Sequence, residues 1–125
     1  MAAGNYTFII EQGATTDFQI DWTDSNGTNV DLTDYQARMH IRTDYGGTLI
    51  CALTSDLYPD GTGLNLSGSK SVYPPTSGSI GVYISANTSS GFTFDTARYD
   101  LEMVSGSVVT RLLQGSVKLS KEITV

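Results

Sequence analysis

At 125 residues the chain has the length of one domain, long enough to bury about two-thirds of its unfolded surface in one core without disulfide staples. Its formal net charge is −6, from 13 acidic and 7 basic residues with no cluster of Lys or Arg, which makes nucleic acid a poor partner because phosphate binding draws on concentrated positive charge. The start, Met1-Ala2-Ala3-Gly4-Asn5, lacks the basic and apolar parts of a signal peptide, and no apolar run is long enough to span a bilayer; the expectation is a chain made soluble in the cytoplasm, with no membrane partner.

Tyrosine and phenylalanine outnumber methionine, and 13 glycines accompany many Ser and Thr, a composition that suits short strands and frequent turns. In chain order, Asn5 to Ile10 favours a strand. Thr16 to Trp22 alternates, with Phe18, Ile20 and Trp22 on one face and Asp17, Gln19 and Asp21 on the other. Asp24-Ser25-Asn26-Gly27 carries the Asn-Gly hairpin signal, so Thr28 to Leu32 is expected to be a return strand. The clearest stretch is Tyr35 to Arg42. It places Tyr35, Ala37, Met39 and Ile41 on an apolar face and Gln36, Arg38, His40 and Arg42 on a wet one.

A turn over Thr43 to Gly47 then leads to a strand from Thr48 to Thr54, expected to pair with the preceding one. There the single cysteine, Cys51, shares the face of Leu49 and Leu53 and reads as a small buried hydrophobe. Residues 55 to 78 are rich in Gly, Ser, Pro and Asp, and predict irregular exposed loops with one short strand near Leu64 to Leu66. Ser79 to Ser85 alternates again, Ala86 to Ser90 reads as a short helical turn, and Ala97 to Val104 pairs with Val108 to Val117 across Ser105-Gly106-Ser107. Gly115 marks a bulge or bend, and Leu119 to Val125 is expected as a last strand. Eight or nine short strands with at most one short helix predict a single all-β domain, a two-sheet antiparallel sandwich of immunoglobulin-like type. The terminal strands are the expected open edges.

Residue chemistry points away from catalysis. The only histidine, His40, lies between Arg38 and Arg42 on a polar strand face, and Cys51 points to the opposite face by parity, so no nucleophile–base pair forms. The oxygen-rich Asp24, Asn26, Thr28 and Asp31, like the stretch from Asp56 to Gly61, fits turn chemistry better than a calcium loop. No enzyme, cofactor or metal site is therefore expected. Tyr45, Tyr58 and Tyr73 fall in turns or loops, where exposed rings could stack on sugars or on a protein neighbour, or fold over the sandwich edge as lids. Arg38, Arg42 and Arg111 on strand faces are candidate interface anchors, with ordinary solvated faces as the alternative.

Three N-terminal stretches, Asn5-Tyr6-Thr7-Phe8, Glu11-Gln12-Gly13-Ala14-Thr15 and Asp31 to Arg42, together with Tyr99 to Val104 and Val109 to Gly115 near the end, resemble small bacteriophage virion proteins. In pattern the chain is also similar to the immunoglobulin-like N-terminal domains of baseplate upper proteins. The resemblance covers both ends and weakens over residues 55 to 78. It implies a structural protein of the tail, baseplate or neck, located in the virion, homo-oligomeric and docked on other virion proteins. A capsid decoration protein, or a carbohydrate-binding module for host adsorption with a glycan ligand, is the alternative.

Overall fold

Alternating sequence becomes a strand when one face can be buried, and the computed structural model, which describes residues 4–44, 46–68 and 74–123, forms nine strands among them. The strands are β1 (Gly4–Asn5), β2 (Phe8–Glu11), β3 (Thr16–Asp21), β4 (Gln36–Arg42), β5 (Leu49–Thr54), β6 (Gly63–Asn65), β7 (Ser79–Ile84), β8 (Thr96–Ser105) and β9 (Val108–Ser120), with one short helix, α1 (Ala86–Ser89), after β7. The large sheet runs β1-β9-β8-β4-β5, with β2 also on β9, and the small sheet runs β3-β7-β6. With β9, β8, β4 and β5 in the places of strands G, F, C and C′, and β3, β7 and β6 in those of B, E and D, this is an immunoglobulin-like sandwich. Pairing is antiparallel except where β1 and β2 run parallel to β9.

The inward halves of the strands make one core. Met39 and Ile41 of β4, Leu53 of β5, Leu101 and Met103 of β8 and Val117 of β9 meet Leu64 of β6 and Ile80, Val82 and Ile84 of β7, all fully buried. Each such side chain contributes about 1.5–3 kcal/mol by leaving water. In β4 the pairing alternates as its sequence dictates, with Ala37, Met39 and Ile41 inside and Gln36 and Arg38 outside. The hairpin from β8 to β9 closes through Gly106 and Ser107, and Gly106 at φ +57 supplies the positive φ that a tight two-residue turn needs. Helix α1 begins at Ser85, whose Oγ accepts from the Thr88 amide at 3.1 Å, an N-cap that fixes the expected helical turn.

Several expectations are corrected. The N-terminal strand breaks at Tyr6 and Thr7, because β1 and β2 pair with β9 at separate registers. No strand forms over residues 28 to 32. The Asn-Gly turn closes with Gly27 at φ +81, but only the single bridge Thr23↔Asn29 follows, and Asp24 Oδ1 takes up the Asn26 and Thr28 amides instead. Within residues 55 to 78 the short strand expected near Leu64 to Leu66 forms one residue earlier, as β6, and Thr62, Gly63 and Leu64 are buried rather than looped into solvent because it completes the small sheet on β7. Tyr45, Tyr73 and part of that stretch lie outside the described residues.

Residues 119 and 120 continue β9, and β2 covers that end, so the C-terminal strand expected as an open edge is interior to the sheet. The bulge on β9 falls at Leu112, between the pairs Leu101↔Leu113 and Glu102↔Arg111. Gly115 serves a different purpose: a Cβ there would overlap the Tyr6 carbonyl oxygen. The same oxygen accepts from the Tyr99 hydroxyl at 2.6 Å, so the N-terminal edge is pinned on β9 at this point. Cys51 is half-buried, because β5 is an edge strand and its alternation is offset by a bulge at Ile50.

Candidate docking face

What the core does not take from β4, β8 and β9 forms the outer face of the large sheet. On β4 it carries Arg38, His40 and Arg42, on β8 Arg98, Asp100 and Glu102, and on β9 Arg111, Gln114 and Lys118. The register sets them in rows, with Arg38 opposite Glu102, His40 opposite Asp100 and Arg42 opposite Arg98. Across the other side of β8, Asp100 faces Gln114 and Glu102 faces Arg111. All four arginines of the chain and its only histidine thus stand on one face.

With Lys118, that face holds five of the seven basic residues but only four of the 13 acidic ones, Glu11, Asp100 and Glu102 with Asp44 at its end. A chain of net charge −6 therefore presents a locally cationic surface. Arg38 Nε bonds Glu102 Oε1 at 2.7 Å, and Arg111 Nε lies 3.5 Å from Asp100 Oδ2. Arg42 donates from a terminal nitrogen to the Gly47 carbonyl at 3.0 Å. Directly opposed Arg42 and Arg98 are like charges, an arrangement that opposes strand pairing. A depression of about 300 Å³ lies here, lined by His40, Arg42, Arg98, Asp100, Glu102 and Arg111. Around the charges the face also exposes Ile9, Leu49 and Val109. Arginine beside exposed aliphatic side chains is the composition of a protein-binding surface.

Of the residues singled out in the sequence, the structure brings Arg38, Arg42 and Arg111 together on this face and sets Tyr58 elsewhere. Sequence reasoning missed Arg98, Asp100 and Glu102. Their signal was available in the alternation Arg98-Tyr99-Asp100-Leu101-Glu102-Met103, whose outward half matches that of β4.

Tyr58 is 54% exposed and lines a separate groove of about 500 Å³ with Ile50, Cys51, Pro59, Asp60 and Thr88, beside the open edge of β5. Asp60 there is tightly engaged. Ser85 Oγ donates to its Oδ2 at 2.6 Å and the Thr62 amide to its Oδ1 at 2.9 Å, bonds that hold its pKa down at about 2. Burial pushes the pKa of the neighbouring Cys51 thiol up, which favours its protonated form.

The outer face of the small sheet differs in charge. Asp17, Gln19 and Asp21 of β3 stand opposite Tyr83, Gly81 and Ser79 of β7. Asp21 Oδ1 accepts from Gln19 Nε2 and from Ser79 Oγ, each at 2.9 Å. None of β3, β6 and β7 contains a basic residue.

His40 is flanked across the strands by Asp100 and Ala52, neither a hydroxyl nor a thiol. Among the described residues no group of three His, Cys, Asp or Glu is placed to hold a metal ion, and no helix is long and apolar enough to cross a membrane. No protein-family model matches the chain, and no curated protein sequence matches it.

Proposed function

We propose that the chain is a non-enzymatic structural protein of a bacteriophage virion, an immunoglobulin-like domain that holds its place in the tail, baseplate or neck through the outer face of its large sheet. The observation that carries this reading is the gathering of all four arginines, His40 and the exposed Ile9, Leu49 and Val109 on one face of an acidic chain. Arginine suits such a face because its planar guanidinium binds carboxylates in a fixed geometry and is less strongly hydrated than an ammonium. The resemblance of both ends of the chain to small virion proteins supports the same reading and supplies its setting.

Quantitative mass spectrometry of particles purified from the encoding phage tests it, by counting this chain against the major capsid protein. A few copies per particle, as in a ring, is the expected result. Copies comparable to the capsid protein would make it a decoration protein, and absence from the particle would overturn the reading.

A second reading rests on Tyr58. An exposed tyrosine beside Pro59, Asp60 and Thr88 in an open groove has the apolar plane and hydrogen-bonding rim that a sugar ring requires. As a carbohydrate-binding module the protein would bind a glycan on an array and lose that binding on Tyr58→Ala. Failure to bind any glycan removes this reading.

A further inference from the structure

We infer that the chain associates with itself head to tail, the arginine-bearing outer face of the large sheet of one copy docking on the acidic outer face of the small sheet of the next. This rests on the reading of the chain as an assembly domain, and it names the partner of the face already described.

Charge is the first argument. The large-sheet face carries Arg38, Arg42, Arg98, Arg111 and Lys118 against Glu11, Asp44, Asp100 and Glu102. The small-sheet face carries Asp17 and Asp21 with no basic residue on its three strands. Complementary potentials steer and orient association, whereas two copies of the cationic face would repel.

The second argument is local. Arg42 and Arg98 oppose one another across the pair β4–β8. A carboxylate presented there can accept from both guanidiniums at once, a charge-assisted contact. Asp21 is suited to that role because Gln19 and Ser79 already fix its carboxylate, so little side-chain freedom remains to be lost on docking.

Topology supplies the third. The two faces lie on opposite sides of one two-layer sandwich, so a copy can engage two neighbours at once. A contact between unlike surfaces is heterologous. It generates a ring if the rotation per step closes and a filament if it does not.

Sedimentation velocity of the full chain tests this, over a range of concentrations. Two salt conditions are needed, about 0.02 M, where charges are felt over about 20 Å, and about 0.5 M, where screening shortens that reach to about 4 Å. Wild-type protein is expected to form species larger than a dimer at low salt and to dissociate at high salt. The variants Arg42→Gln/Arg98→Gln and Asp17→Asn/Asp21→Asn, each checked for an unchanged thermal transition, should each raise the apparent dissociation constant about tenfold or more. Mixed in equal amounts, they should form a heterodimer and nothing larger, because each retains one competent face.

Three outcomes overturn the inference. They are a wild type that stays monomeric at low salt, association indifferent to salt, and an aspartate double variant that associates as well as the wild type. The particle count separates this from the broader reading: a monomeric chain that is nonetheless present in particles keeps the assembly role with another protein as its neighbour.

Discussion

The outer faces of the two sheets are built alike, from the outward half of alternating strands, yet they carry opposite chemistry. On the large sheet Arg38, Arg42, Arg98 and Arg111 crowd around Asp100 and Glu102, with one arginine pair directly opposed. On the small sheet Asp17 and Asp21 share their face with Gln19, Ser79 and Tyr83, and none of its three strands contains a basic residue. The difference shows that net charge is a poor guide to surface chemistry. A chain of −6 can hold its basic residues in one place, and the sheet register is what gathers them.

The comparison breaks most severely if the scaffold beneath the cationic face is disturbed. Gly115→Ala would drive a Cβ into the Tyr6 carbonyl and push β1 and β2 off β9. A loss of about 3 kcal/mol is expected by urea denaturation, with faster hydrogen exchange at Phe8 to Glu11 and no early change on β3.

Tyr99→Phe removes one bond at the same junction, from the hydroxyl to the Tyr6 carbonyl, and should cost about 1 kcal/mol. Burial, reinforced by Tyr6, raises the Tyr99 pKa above the ordinary 10. The folded state therefore holds its proton longer than the unfolded one. The advantage of wild type over Tyr99→Phe should be complete below pH 10 and shrink as pH rises beyond it, which unfolding curves across that range would show.

Arg42→Gln sharpens the comparison by separating stability from association. It loses the bond to Gly47 and relieves the opposition to Arg98, so stability should change by no more than about 0.5 kcal/mol, while sedimentation at low salt shows weaker self-association.

The last effect belongs to the groove beside the open edge of β5. Asp60 has its pKa depressed from 3.8 to about 2 by Ser85 and Thr62, so its stabilising contribution is present above pH 3.8 and lost as pH falls toward about 2. The stability gap between wild type and Asp60→Asn should close over that interval. A gap that persists at pH 2 would remove the carboxylate from the account.

Much of the scaffold was legible because alternation has one simple cause. Tyr35 to Arg42 and Ser79 to Ser85 each had an apolar half that only a buried strand face satisfies. Within residues 55 to 78 the strand near Leu64 was legible, but the burial of Thr62 and Gly63 was not, since two small residues in a Gly- and Ser-rich stretch carry no apolar signal. Nor was the reason for Gly115, which depends on a backbone contact with Tyr6 from the far end of the chain. For the docking face, parity placed Arg38 and Arg42 outward, whereas Arg111 faces out only because the bulge at Leu112 shifts the alternation of β9. That Arg42 meets Arg98 is a matter of strand register, which is set by the bulges and turns between them and is not written in either strand.

The central claim is that the arginine face is the one the protein works through. Counting the chain in particles assembled with wild-type protein or with Arg42→Gln/Arg98→Gln, by quantitative mass spectrometry, tests it most directly. The account predicts a fixed copy number for wild type and a several-fold depletion of the variant despite an unchanged thermal transition. Equal incorporation of the two proteins would contradict it.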